Sequence, residues 1–336
     1  MAAVRFFGRK GAGTVTERKA GRVKKVYKTD NGILSELPDY EKDCWINLRS
    51  PNMEEMTEVA GRYNVNLSDL KAALDDEESS RVQLEDGYTL ILVDIPSEEI
   101  RNEQKAYTTI PLGIILVKDA IITVCGAETG ILSSFYRSTI RGFSTKKKMR
   151  FVYQILLRTT NLYQMYLRLI DKKRSEIEKR VSMEETEDAD LINLHELESN
   201  LVYFATSLSS NRIVLERLTR YERITQYPED KELLDDVIIE NRQAIEMTNI
   251  YRDIMHGSRD LVSTIINNRL NNVMKLLASI TLVMAIPTIV SGIYGMNVAP
   301  EWMPLSDTPY GFFIIVGATV VICLITLLIL RKRKML

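Results

Sequence analysis

The sequence predicts an α+β membrane protein: a cytosolic α/β domain, then a long helical bundle and stalk that leads into two transmembrane helices. Two stretches near the carboxyl end, 276–294 and 311–330, are long and apolar enough to cross a bilayer, which takes about 20 residues at 1.5 Å each. From about residue 40 to 126, short β-rich runs alternate with helical patterns. Between Pro228 and Pro287 there is no proline, so 229–294 reads as one helix of roughly 100 Å at 1.5 Å per residue.

The net charge of −1 across 336 residues hides a segregation, because Arg5, Arg9, Lys10, Arg18, Lys19, Arg22, Lys24, Lys25 and Lys28 crowd one end. Residues 1–38 read as a basic amino-terminal tail, solvated or lipid-facing and not bound to nucleic acid. Within residues 1–30 the only greasy pair is Phe6 and Phe7, too little for a secretory signal, so the following domain is expected in the cytosol. Residues 39–145 form the α/β domain, carrying "CWINL", "MEEMTEVAGRYN", "LSDLKAALDD", "VQLEDGYTLILVDI" and "LGIILVKDAIITVC". The last of these reads as two strands joined at Lys118 and Asp119. Cys44, Cys125 and Cys323 are scattered singly, which gives neither a disulfide framework nor a paired-cysteine zinc signature.

Residues 146–275 are predicted to be the long-helix bundle and stalk. Val152, Leu156, Leu157, Leu162, Met165, Leu167 and Ile170, then Leu194, Leu197, Leu201, Phe204 and Leu208, recur at helical spacing. Pro228, Glu229 and Asp230 mark a helix start, since proline suits the first turn and acids its positive end. On that helix Leu234, Ile238, Ile245, Ile250, Ile254, Leu261, Ile265 and Val273 suggest a packing seam, with Gly257 the weakest point.

The first span, 276–294, is interrupted by Thr281, Pro287 and Thr288; the second, 311–330, contains no charge. In helical projection Asn271, Met274, Ala278, Thr281, Ala285, Thr288 and Gly292 fall on one small or polar stripe, opposite Leu276, Val283, Ile286 and Val290. Polar groups in a bilayer face protein or water, so the stripe lines either a helix contact or an aqueous path. Two spans alone cannot enclose water; a pore here requires several copies around an axis. Arg269 and Lys275 precede the first span, the basic tail 331–336 follows the second, and the loop 295–310 holds only Glu301 and Asp307 as charges. The positive-inside rule places both termini in the cytoplasm of a cell membrane protein, with Trp302 and Tyr310 at the outer headgroups.

Just past the stripe stands Tyr294 followed by Gly295-Met296-Asn297. With this tripeptide at the outer end of the first of two carboxyl-terminal spans, behind long helices and an α/β domain, the chain resembles the CorA family of magnesium channels over nearly its whole length. The resemblance implies a homopentamer with a funnel-shaped cytosolic domain, the first span lining the pore and the second facing lipid. It puts Gly295, Met296 and Asn297 at the outer selectivity filter, Thr288 and Gly292 on the upper pore wall, Met274 and Leu277 at an apolar constriction, and Asn271 at the cytosolic mouth. It also implies Mg2+ as cargo and as regulator, bound by acids between neighbouring cytosolic domains. Counting back from the filter assigns one such acid to Asp236; its usual partner position is Ala72, so Asp69, Asp75 or Asp76 would have to substitute. Acidic clusters of this kind, "MEETEDAD" at 183–190 included, otherwise serve as solvated helix ends.

The chemistry is consistent with that resemblance. Magnesium prefers octahedral oxygen and dehydrates reluctantly, so a ring of amide oxygens from Asn297, with carbonyls near Gly295, can grip the hydrated ion without trapping it. Glu301 and Asp307 would raise the local cation concentration. Gly295 is expected to leave the helix through a left-handed turn. Zinc, cobalt or nickel transport by the same fold is the alternative, and a membrane-anchored scaffold or sensor is the reading from another class. An enzyme is not predicted: His195 and His256 stand far apart in sequence, "HELES" lacks a second zinc-protease histidine, "RKGAGT" lacks the phosphate-loop lysine, and no serine sits in a nucleophile elbow. The expected partners are further copies of the chain, the bilayer and divalent cations.

Overall fold

The computed structural model describes residues 23–101, 104–137, 140–183, 189–220, 228–297, 299, 302–305 and 308–333. Most of the basic amino end, Glu301, Asp307, Lys334 and residues 184–188 of the acidic stretch lie outside them. The chain divides into two compact units, one of Met1–Ile177 with Asp188–His256 and the other of Glu178–Glu187 with Gly257–Leu336.

The first unit is built on a seven-stranded sheet. Its strands are β1 (Val23–Asp30), β2 (Ile33–Leu37), β3 (Cys44–Arg49), β4 (Arg81–Leu84), β5 (Tyr88–Arg101), β6 (Gln104–Val117) and β7 (Ala120–Cys125), in the spatial order β2-β1-β3-β7-β6-β5-β4. Only β3 and β7 pair in parallel. Successive side chains of a strand point to opposite faces, and both faces here are buried. Ile46, Leu90, Leu92, Ile115 and Ile122 pack with Met56, Val59 and Leu70 of α1 (Met53–Tyr63) and α2 (Leu67–Ala72). Their neighbours Trp45, Ile91, Ile114 and Ile121 belong to a second core with Phe135 of α3 (Gly130–Arg137), Phe151 and Tyr153 of α4 (Lys148–Ser182), Leu215 of α5 (Ala189–Arg220), and Leu234 of α6 (Pro228–Tyr294).

This arrangement corrects two expected boundaries. Residues 23–37, read as part of a basic tail, are the first two strands of the sheet. Val26 and Tyr27 are buried on opposite faces, while Lys24, Lys25 and Lys28 meet Glu58, Glu36 and Glu41 at 2.7, 2.7 and 2.6 Å. The lysines signalled charge; their partners, supplied from elsewhere in the chain, made a strand possible. Likewise 39–145 and 146–275 are not separate bodies up to His256, because the second face of the sheet is covered by the helices of the predicted bundle.

Two strand positions show what such packing demands. Gly113 of β6 lies so close to α2 that a Cβ would stand 2.5 Å from Ala73 Cβ. Beyond Leu92, β5 has lost β4 as a neighbour, and at Asp94 an amide side chain replaces it: the Asp94 N–H donates to Asn211 Oδ1 at 2.9 Å and Asn211 Nδ2 donates to the Asp94 carbonyl at 2.7 Å. Pro96 and Pro111 sit in this two-stranded extension of the β5–β6 hairpin, where a missing N–H breaks no ladder.

Helix α6 runs unbroken for 67 residues, through Gly257 as the lack of proline between Pro228 and Pro287 predicts, and on past Pro287. Its buried face differs from the expected seam. Leu234, Val237, Asn241, Ala244, Thr248, Met255, Ser258 and Val262 are buried, whereas Ile250, Ile254 and Leu261 are exposed. Small side chains let the helix backbone approach its neighbours closely, and the bulkier isoleucines are left on the outside of the single chain.

Candidate functional site

In the second unit, the last part of α6 and α7 (Gly311–Lys332) are each long and apolar enough to cross a membrane. Pro287 lies beside their mutual contact. Proline has no N–H, so the carbonyl of Val283, four residues earlier, loses its helical partner. The thiol of Cys323 on α7 faces that carbonyl at 3.8 Å and donates to it. An apolar groove of about 500 Å³ flanks this contact, lined on α6 by Val283, Pro287, Val290 and Tyr294.

The α7 side of α6 locates the predicted stripe. At 3.6 residues per turn, Pro287, Val290 and Tyr294 fall within about 40° of Val283, and Met274, Ala278, Thr281, Ala285, Thr288 and Gly292 fall within about 40° of the opposite direction. Asn271 and Leu277 flank them at about 60°. All are exposed in the single chain except the half-buried Ala285. The Thr281 and Thr288 hydroxyls donate to the carbonyls of Leu277 and Met284 at 2.8 and 3.0 Å, which uses their protons and leaves oxygen lone pairs for the stripe.

At the crest, the Gly295 N–H still donates to Ser291 O at 2.9 Å, and the Met296 N–H tightens onto Ile293 O at 3.3 Å. Gly295 therefore closes the helix without the left-handed conformation expected of it; it is absent from the positive-φ residues. Its small size serves close approach instead, for a Cβ would stand 3.1 Å from Ser291 O. Met296 and Asn297 follow, both exposed. The connecting turn is tied back to the helix by the Tyr294 hydroxyl, which donates to Pro304 O at 3.0 Å, and is braced internally by the Thr308 hydroxyl, which donates to Leu305 O at 2.9 Å. Gly311 opens α7 where any side chain would collide with the Leu305 carbonyl.

The four candidate regulatory acids do not gather within the chain. Asp236 is exposed on α6 and Asp76 on the loop after α2. Asp75 accepts the Glu77 N–H at 3.1 Å, a turn contact. Asp69 is buried and accepts the Tyr88 hydroxyl at 2.6 Å; burial and this carboxylate push the Tyr88 phenol up to about 12. Asp69 thus already accepts a hydrogen bond within its own domain. Cys323, Tyr294 with Pro304, and Gly311 were missed from sequence; Pro287 was the available signal, because its missing N–H demands a donor from a neighbouring helix.

The family described as CorA-like Mg2+ transporter protein matches residues 40–332, both apolar helices and the crest included. The chain belongs to this family. The cobalt/magnesium transport protein CorA of Methanocaldococcus jannaschii is 28% identical over 297 residues, covering 86% of this chain and 90% of that protein. The cobalt/magnesium transport protein CorA of Thermotoga maritima is 25% identical over 320 residues, covering 92% and 88%. The solved structure of the complete CorA magnesium transporter from M. jannaschii superimposes with a TM-score of 0.75 at 25% identity, covering 92% of this chain and 98% of that one. A CorA-type fold, with its α/β domain, long helix and two apolar helices that could cross a membrane, is therefore the architecture of this chain, and its relatives are named as transport proteins.

Proposed function

We propose that copies of this chain surround an axis lined by the polar stripe of α6 and conduct hydrated Mg2+ into the cytosol down its electrochemical gradient. One observation carries the reading: the small and polar residues of α6 face directly away from α7, where a lone hairpin would expose them to lipid at a cost. Surrounding that stripe with further copies relieves the cost and creates a wet path. Assembly is also favoured by Ile239, Ile250 and Leu261, exposed on α6 at an 11-residue spacing that keeps them on one face. In this reading the assembly is a homopentamer, as the resemblance to the family implies, and the positive-inside rule puts both termini on the cytoplasmic side of the cell membrane.

In this proposal Asn297, with Gly295 and Met296, forms the outer filter. Its amide oxygens hydrogen-bond the water shell of the ion, and Glu301 and Asp307 of the loop concentrate cations outside. Thr281, Thr288 and Gly292 line the path below it; Ala278 and Ala285 leave it wide; Met274 and Leu277 close it by dewetting above Asn271. Cytosolic Mg2+ bridging Asp236 to Asp75 or Asp76 of a neighbouring copy would hold the closed form, and its loss would let like charges separate the subunits. Co2+ passage is the favoured second reading, since two relatives are named for cobalt as well as magnesium; Ni2+ or Zn2+ transport follows the same chemistry.

Flux of Mg2+ into proteoliposomes holding a magnesium-sensitive dye tests the proposal. Asn297→Leu is expected to abolish uptake while leaving assembly intact, and Co2+ should compete with Mg2+ more effectively than Zn2+. Unchanged uptake in Asn297→Leu would refute the filter. No uptake by the unaltered protein would favour the membrane-anchored scaffold or sensor.

A further inference from the structure

At the β2 edge of the sheet, a cavity of about 440 Å³ opens between the strands and α3. Strand register builds its floor. Lys25 stands opposite Asn47, and Tyr27 opposite Glu36, so these four and Arg49, two residues beyond Asn47, face the same side. The wall is Tyr136 and Arg137 of α3, with Glu128 from the turn before it.

The donors of this cavity are positioned from beneath. Trp45 Nε1 donates to Thr123 Oγ1 at 2.8 Å, and that hydroxyl donates to Asn47 Oδ1 at 3.1 Å, all three residues being buried. The carbonyl end of the Asn47 amide is thereby taken up by the sheet, and its NH2 end, which has no partner among the described residues, is left to the cavity. Glu128 is shared, 2.8 Å from Arg49 and 3.1 Å from Arg137. A guanidinium carries five N–H donors, so one carboxylate between two of them does not exhaust the pair. Lys25 meets Glu36 at 2.7 Å, and the lining cations Lys25, Arg49 and Arg137 outnumber the carboxylates Glu36 and Glu128. Burial pushes the Tyr27 phenol up to about 12, so it remains a donor at neutral pH. The remaining surface is apolar: the Tyr27 and Tyr136 rings stack 5.7 Å apart with their planes 5° from parallel, beside Leu34.

We propose that this cavity binds a small organic acid, its carboxylate or phosphate held by Arg49, Arg137 and the Asn47 amide and its apolar body lying against Leu34 and the two tyrosine rings. Small-molecule sites have this size and this combination of apolar lining with a few placed polar groups, and guanidinium forks match the geometry of both acids. A ligand there joins the β2–β1–β3 edge of the sheet to α3. The cavity lies wholly within the first unit and does not depend on the transport proposal.

Trp45 reports on occupancy, because its ring stands 5.0 Å from that of Tyr27 and its N–H is linked through Thr123 to Asn47. Full-length protein in micelles carrying Trp302→Phe has Trp45 as its single tryptophan. The probes are benzoate and phenyl phosphate, compared at constant ionic strength with uncharged benzamide and with inorganic phosphate. A saturable change in Trp45 emission is expected with at least one of the two acids, and the tighter of them identifies the head group. Asn47→Asp keeps the acceptor for Thr123 but replaces the NH2 by a negative charge, and Arg137→Gln alters a side chain that is 68% exposed. Each should weaken binding about tenfold or more, the scale of a hydrogen bond to a charged group, with circular dichroism confirming the fold. No saturable response to either acid, benzamide as tight as benzoate, inorganic phosphate as tight as phenyl phosphate, or unchanged affinity in folded Asn47→Asp or Arg137→Gln would overturn the proposal.

Discussion

Replacing Pro287 and Cys323 separately and together should reveal that they are energetically coupled. Pro287 leaves Val283 O without its helical N–H, and Cys323 supplies the donor from α7 at 3.8 Å. An unsatisfied buried acceptor costs about 1–3 kcal/mol. Side-chain hydrogen bonds between membrane helices average nearer 0.6 kcal/mol, reaching about 1.7 kcal/mol. A thiol is a weak donor, so the contact belongs in the lower half of that range.

Cys323→Ala alone is ambiguous, since it removes packing as well as the donor. The double-mutant cycle separates them. Pro287→Ala restores an N–H that can reach Val283 O within the helix, after which the thiol has nothing to satisfy. We expect Cys323→Ala to cost about 0.5–1 kcal/mol more in the Pro287 background than in Pro287→Ala, measured by equilibrium unfolding in mixed micelles. Equal costs in both backgrounds, within the roughly 0.3 kcal/mol that independent sites show, would refute the reasoning.

Asn211→Leu removes both hydrogen bonds that stand in for a strand beside Asp94, and should destabilise the protein by about 2–3 kcal/mol in thermal unfolding. Gly113→Ala drives a methyl to 2.5 Å from Ala73 Cβ and should cost about 1–3 kcal/mol, with Ala73→Gly restoring part of the loss in the double variant. Burial raises the Asp94 carboxyl above its ordinary 3.8, while Ser207 and Ser80 oppose the shift. Between the unfolded value and the raised folded one the native state holds the extra proton, so this contribution to stability is lost as pH rises through the folded value. The unfolding free energy of the unaltered protein relative to Asp94→Asn should therefore improve as pH falls towards 4, and a difference independent of pH would contradict the assignment.

How much could be read in advance depended on whether a feature reports on one segment or on two. The continuity of α6 from Pro228 to Pro287 followed from the lack of proline between them, and the stripe from Asn271 to Gly292 followed from helical period alone. Strands β1 and β2 were hidden because Lys24, Lys25 and Lys28 look like a solvated run until Glu58, Glu36 and Glu41 are brought beside them. The cavity shared by Asn47, Arg49 and Arg137 was hidden for the same reason: it exists only once β3 and α3 are packed. On α6, size misled, since Ala244, Thr248 and Ser258 make the buried contacts and Ile250 and Ile254 do not.

The pairing of α6 with α7 shows how little polar chemistry is needed to select one arrangement. Apart from Thr319 and Thr326, whose hydroxyls donate to carbonyls of α7 itself, and the basic residues at its end, α7 is apolar, so sliding or rotating it against α6 would bury similar area in many positions, and dispersion alone separates them weakly. A proline inside α6 removes that degeneracy, because in lipid the carbonyl it strands needs a donor, and α7 offers a thiol at one level. Once Cys323 sits against Val283, the contact face of α6 is set, and the face opposite must carry Met274, Thr281, Thr288 and Gly292. The orientation of the candidate pore wall is thus a consequence of a missing backbone hydrogen on the other side of the same helix.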